Sequence, residues 1–215
     1  MPIVKPAPAE QFDDMGQQRR AVLMGMWVFL VTELLLFGGG FAMFAMYRVQ
    51  HPQVFAEAAG HLSLPLATAN TVLLLTSGLT MALAEQAVEA GSRRLTLVFY
   101  LATMALGLGF LGVKGYEWYQ EWQAQLMPLP GLVFAWPGNE SQQAELFFNL
   151  YFILTGLHAL HMVIGLGLLG VMVVLVQRWR DPHRLTRQTQ VSGLYWAFVD
   201  VIWLFLFTTL YLLGP

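Results

Sequence analysis

Five apolar segments, each long enough to cross a hydrocarbon core as a helix, decide what this chain can fold into. A helical crossing takes about 20 residues. The segments run roughly over 21–47, 66–88, 95–116, 146–177 and 192–213. Each is continuously apolar, without the alternation that a lipid-facing barrel strand needs, so helices are predicted. The length of the fourth predicts tilt or an extension beyond the bilayer. Only 11% of the 215 residues are charged and 57% are hydrophobic, whereas a soluble domain carries about 25% charged residues. So few charges cannot cover a water-facing surface. The predicted fold class is an all-α membrane protein, a bundle of five transmembrane helices.

Basic residues assign the direction. Lys5, Arg19 and Arg20 precede the first segment, and Arg93 and Arg94 follow the second. Arg178, Arg180, Arg184 and Arg187 follow the fourth. These positions fall on one side of a membrane. Arg48 and Lys114 fall on the other, with Glu57, Glu121, Glu140 and Glu145. The positive-inside rule then predicts a cytoplasmic N-terminus and a C-terminus outside. Residues 1–20 read as a polar cytoplasmic tail without the apolar core of a signal peptide. Residues 21–215 read as a single five-helix transmembrane domain. The Trp- and Pro-rich loop between Glu117 and Glu145 suits the outer interface.

Composition also removes functions. With no cysteine, disulfides, thiolate metal sites and iron–sulfur clusters are excluded. A net charge of −2 gives no support to nucleic acid as a partner. The glycine runs at 38–40, 107–112 and 165–170 suit close helix packing.

Ionisable residues inside the spans carry the functional question, because each is costly in lipid. The fourth span contains YFILTGLHALHMVIGLGLLG, with His158 and His161 three residues apart and so on one helical face. Glu33 lies near the middle of the first span, Asp200 in the first part of the fifth, and Lys114 with Glu117 at the end of the third. At about 1.5 Å per residue, Asp200 lies about 10 Å from the cytoplasmic edge, Glu33 about 18 Å and His161 about 24 Å. Asp200 and the histidines are then too far apart to share a metal, which needs three or four ligands around one ion. Glu33 with His161 would make a ligand-poor site at best. A bis-histidine haem needs facing helices, and one span alone contains histidine.

The pair therefore reads as imidazoles hydrogen-bonded to polar groups on neighbouring helices, Asn70, Thr71, Thr76 and Tyr100 among them. Glu33 leaves two readings open, a proton-linked group or an uncharged carboxyl bonded across helices. A small proton-linked transporter, with Glu33, His158, His161 and Asp200 as a relay, is the competing function. Pro-broken spans would favour it, and the prolines lie almost wholly outside the spans.

The order of the motifs is more specific than any one of them. LMGMWVFLVTELLLFGGGFAMFAMYR, ANTVLLLTSGLTMALA, FLGVKGYEW, FFNLYFILTGLHALHMVIG and GLYWAFVDVIWLFLFTTLYLL succeed one another on the five spans. Together they resemble subunit III of the haem–copper oxidases, the cytochrome c oxidase subunit III family, in its short five-helix bacterial form. The resemblance runs from about Arg20 to the end. It implies a non-redox core subunit of a terminal oxidase that reduces oxygen and translocates protons, supporting assembly, proton uptake and durability of the active site.

The resemblance also implies the company the chain keeps. Haems and copper would sit in partner subunits and none here. Subunits I and II would be partners, with a fourth subunit and a larger respiratory assembly beyond them. The location would be the bacterial inner membrane, where phospholipid is the one small molecule the resemblance brings. It assigns no catalytic, cofactor or metal residue to this chain. By motif it singles out Glu33, Asn70, Glu117, His158, His161, Trp196 and Asp200. Quinol oxidases and nitric oxide reductases have components within the same resemblance. In the family's W-H-F-V-D motif the histidine is Ala197 here, and longer members carry two further N-terminal helices that form a lipid-filled cleft.

Overall fold

The computed structural model describes residues 14–129, 131, 134–138, 140–178 and 182–213. The predicted tail as far as residue 13, and Arg180, lie outside them. Six α-helices follow in order, with no strand among the described residues: α1 (Met15–Gln50), α2 (Pro52–His61), α3 (Leu64–Glu89), α4 (Arg93–Gln123), α5 (Ser141–Arg178) and α6 (Pro182–Phe207). A π-helical turn, Thr208–Leu212, continues α6. Helices α1, α3, α4, α5 and α6 with its π turn are long and apolar enough to cross a membrane.

Local chemistry sets the boundaries. The Asp14 side chain accepts a 2.6 Å hydrogen bond from the Gln17 amide and caps α1. Proline stands in the first turn of α2 and of α3, where its missing N–H costs nothing. Gly91, at φ 69°, supplies the left-handed residue that turns α3 into α4. Helix α2 is an addition to the predicted elements. Too short to span, it buries Val54, Phe55, Ala58 and Ala59. The Phe55 ring lies 5.4 Å from both Phe44 of α1 and Phe147 of α5, pinning that end of the bundle.

The centre of the bundle is α3, α4, α5 and α6, tied by side chains that sequence periodicity alone does not pair. Trp196 and Trp203 of α6 donate indole N–H bonds of 3.0 Å to Ser77 and Thr71 of α3. Tyr100 of α4 donates to Thr189 of α6 at 2.8 Å, and Thr80 meets Thr103 at 2.7 Å between α3 and α4. Such bonds hold helices together where lipid offers no competing water. Helix α1 is attached differently. Among the described residues its buried ones are Leu30, Phe37 and Phe44, seven apart, a single seam beside which Met24, Trp27, Val28, Leu34 and Leu35 stay exposed.

Candidate functional site

The polar residues singled out by sequence separate into three places. The first joins α1 to α5: His161 Nε2 lies 3.1 Å from Glu33 Oε2. The two side chains are 9% and 18% exposed. The two side chains meet across the difference in depth that residue counting gives their positions. On the other side of the ring, His161 Nδ1 lies 2.8 Å from the Leu157 carbonyl. A carbonyl only accepts, so Nδ1 carries a proton. The Nε2–Oε2 bond then needs one further proton, on the imidazole or on the carboxyl. Phe37 shields the pair, its ring 5.3 Å from the imidazole.

His158 does not behave as expected. It is 1% exposed and neither ring nitrogen has a hydrogen-bond partner among the described residues. Of the polar groups named for it, Thr71, Thr76 and Tyr100 are engaged elsewhere. Thr71 takes the Trp203 indole and itself bonds the Ala67 carbonyl, and Tyr100 bonds Thr189. The imidazole instead packs against Phe110 and Trp203, with ring centroids 5.4 Å away in each case. The expectation of interhelix hydrogen bonding therefore holds for His161 and fails for His158. Asn70, fully buried, likewise has no partner for either amide atom among the described residues.

The second place is built around Lys114, which is 1% exposed. Its ammonium donates to Glu117 Oε2 at 2.9 Å, to the Tyr151 hydroxyl at 3.0 Å and to the Tyr211 hydroxyl at 2.6 Å. Tyr211 in turn donates to Glu117 Oε1 at 2.8 Å. The Tyr151 and Trp203 rings lie 4.6 and 5.5 Å from the ammonium, a cation–π setting. Glu121, one turn beyond Glu117, is buried too. The spacing of Lys114 and Glu117 on one face was readable in the sequence. Tyr151 and Tyr211 were not, because Tyr211 is brought round by the π turn, which sequence periodicity does not reveal.

The third place lies between α1, α3 and α6. Asp200 and Glu85 line a cavity of about 480 Å³ with Trp27, Gly78, Gly193 and Ala197. Each carboxyl lies on a glycine of the facing helix, Asp200 on Gly78 and Glu85 on Gly193, so closely that a Cβ there would collide. Asp200 Oδ1 has no partner among the described residues. The sequence reading missed Glu85, which stands near the end of α3 and passes for a surface residue. Trp196, beside this cavity, packs its ring on Gly107 and Gly165, where an added Cβ would approach it to 2.9 and 3.1 Å. Among the described residues, no three His, Asp or Glu side chains are grouped to hold a metal ion.

Chemically, these places set ionisable side chains against one another and lock helices together. The family described as "Cytochrome c oxidase subunit III" matches residues 13–126 and 140–215. Cytochrome c oxidase subunit 3 of Thermostichus vulcanus is 34% identical over 196 residues, 89% of this chain and 87% of the relative. Quinol oxidase subunit 3 of Bacillus subtilis (strain 168) is 30% identical over 214 residues, 97% of this chain and 93% of the relative. Cytochrome bo(3) ubiquinol oxidase subunit 3 of Pseudomonas aeruginosa is 28% identical over 194 residues, 89% and 85% of the two chains.

Proposed function

We propose that this chain, which belongs to the cytochrome c oxidase subunit III family, is the non-redox third core subunit of a haem–copper terminal oxidase. The observation that carries the reading is the family match, which runs through all five candidate spans and not through one motif. In this role the chain binds the oxidase's first and second subunits within a bacterial inner membrane, N-terminus in the cytoplasm. It supports assembly, proton uptake and the durability of the active site, while oxygen reduction proceeds on haems and copper in its partners. Residues 21–215 act as one transmembrane domain, and phospholipid is the small molecule that covers its lipid-facing surface. Relatives named for cytochrome c and for quinol oxidases are both similar to it, so a dithiolate copper motif in the neighbouring second subunit decides the electron donor.

The Glu33–His161 pair gives this proposal its residue-level test. It is an ionisable pair in the apolar part of the bundle, and such groups are retained where protons or partners are handled. Glu33→Gln keeps an oxygen and a donor beside His161, whereas Glu33→Ala empties the position. We expect Glu33→Ala to shorten the turnover lifetime of the copurified oxidase and to slow its proton uptake, and Glu33→Gln to keep assembly at the wild-type level. Unchanged assembly, lifetime and uptake in Glu33→Ala would remove the carboxyl from the function. Proton transport by the chain alone in liposomes would instead favour the transporter reading.

A further inference from the structure

Helix α6 is held on two flanks and open between them. On one flank its rings meet those of α1, Tyr195 with Phe29, Phe198 with Phe37 and Phe205 with Phe41. On the other, the Trp196 and Trp203 indoles bond Ser77 and Thr71 of α3. Between the flanks Ala197, Val201 and Leu204 stay exposed, spaced as one helical stripe. The cavity of Asp200 and Glu85 opens onto the start of this stripe. Ala197 forms its floor, with Trp27 of α1 and Ala82 of α3 as walls, and all three are exposed. A groove therefore runs along α6 between α1 and α3.

Its carboxyls sit at two levels. Asp200 lies on Gly78 and Glu85 on Gly193. On each helix the glycine and the acid are seven positions apart, so the carboxyls are separated by about 10 Å along the groove at 1.5 Å per residue. Asp200 Oδ1 has no hydrogen-bond partner among the described residues, and Ala197, one turn earlier on α6, offers only a methyl. A carboxyl oxygen accepts hydrogen bonds whether or not the group is ionised, and leaving it without a donor away from water is costly. What lies in the groove is therefore selected for donors. Acyl chains bring none. An amino headgroup brings them at one level, so one bonded to Glu85, four residues from the end of α3, leaves Asp200 about 10 Å deeper without any. A helix serves both levels, because side chains seven apart share a face and rise by the same distance.

We propose that this groove receives a transmembrane helix of a partner subunit, carrying a lysine or arginine for Glu85 and, seven residues deeper, a side-chain donor for Asp200. The basic residue belongs at the shallower level, where a long side chain reaches the interface. The exposed stripe of α6 packs against the apolar remainder of that helix. The proposal rests on the reading of the chain as one subunit of a membrane complex, and it names the surface and the chemistry through which one partner is recognised.

The test is photocrosslinking in the intact complex with which the chain copurifies, with a photoreactive amino acid at position 197. The same amino acid at position 160, where Leu160 is exposed on α5, is the control. Position 197 should give one protein adduct that position 160 does not give, on an apolar span with a lysine or arginine and a donor seven residues deeper. Glu85→Lys should weaken that adduct about tenfold, the effect of losing one charge-assisted hydrogen bond. Exchanging the partner's basic residue for glutamate should then restore it, which a general loss of folding would not allow. An adduct with phospholipid, with a second copy of this chain or with another part of the same chain would overturn the proposal. So would a crosslinked span without a basic residue, an adduct indifferent to Glu85→Lys, or a loss that the reversed pair does not restore. Each of those results leaves the oxidase-subunit reading standing as long as the complex still copurifies. A chain that purifies with no membrane partner would overturn both.

Discussion

Lys114→Met is expected to destabilise the folded chain by about 3–5 kcal/mol, the range for removing one partner from a buried ion pair. Three acceptors would lose the ammonium at once: the Glu117 carboxylate, left with the Tyr211 hydroxyl alone, and the Tyr151 and Tyr211 hydroxyls. Glu117 has no surface of its own through which water could replace the ammonium. Methionine is of similar length and fills the volume, so the loss is electrostatic and not a cavity effect. The same logic predicts recovery in Lys114→Met/Glu117→Gln. There the charge disappears from both sides, while the amide oxygen introduced in place of the carboxylate still accepts from Tyr211. A buried ion pair replaced as a unit is often close to neutral in stability. Thermal midpoints of the copurified complex give the comparison, and a double variant as unstable as Lys114→Met would show that the cluster is not an ion pair in the energetic sense.

The site also shows where sequence reasoning stopped. Apolar length located the five helices long and apolar enough to span, because lipid imposes one simple requirement, about 20 apolar residues with the backbone bonded internally. Lys114 and Glu117 were visible as a pair because their spacing places them on one helical face. The partners of His161 and Lys114 were not visible. Whether Glu33 reaches His161 depends on tilt and on side-chain reach over several ångströms, to which residue counting is blind. Whether Tyr211 reaches Lys114 depends on one π turn, whose extra residue rotates the end of α6 out of its helical register. His158 failed for a third reason. Polar groups were plentiful on the neighbouring helices, but Trp203 and Thr189 had already taken Thr71 and Tyr100, and Asn70, without a partner among the described residues, does not bond the ring either. Hydrogen bonding among many candidates is a competition that sequence does not rank. Glu85 shows the reverse: a residue unremarked near a helix end becomes a cavity wall because Gly193 of α6 has no Cβ to keep it out.

Trp203→Ala should cost about as much as the loss of Lys114, but by a different mechanism that a second substitution separates. Trp203 is fully buried. Its ring lies 4.7 Å from Phe110 edge-on, 5.4 Å from His158 and 6.3 Å from Tyr211, and its indole N–H bonds Thr71. It therefore joins α3, α4, α5 and the π turn through one side chain. Helices in a membrane are held by packing rather than by exclusion of water, so a void opened inside the bundle is not made good by lipid unless the helices collapse onto it. Truncation to alanine should cost about 3–5 kcal/mol and loosen the wall that encloses His158. Trp203→Phe keeps most of the ring volume and removes the N–H. Thr71 would not be stranded, because its hydroxyl already donates to the Ala67 carbonyl at 2.9 Å, so this change should cost only about 1 kcal/mol. Thermal midpoints and the yield of copurifying subunits measure both. If Trp203→Phe fell as far as Trp203→Ala, the bond to Thr71, and not the packing of the ring, would carry the contribution of Trp203.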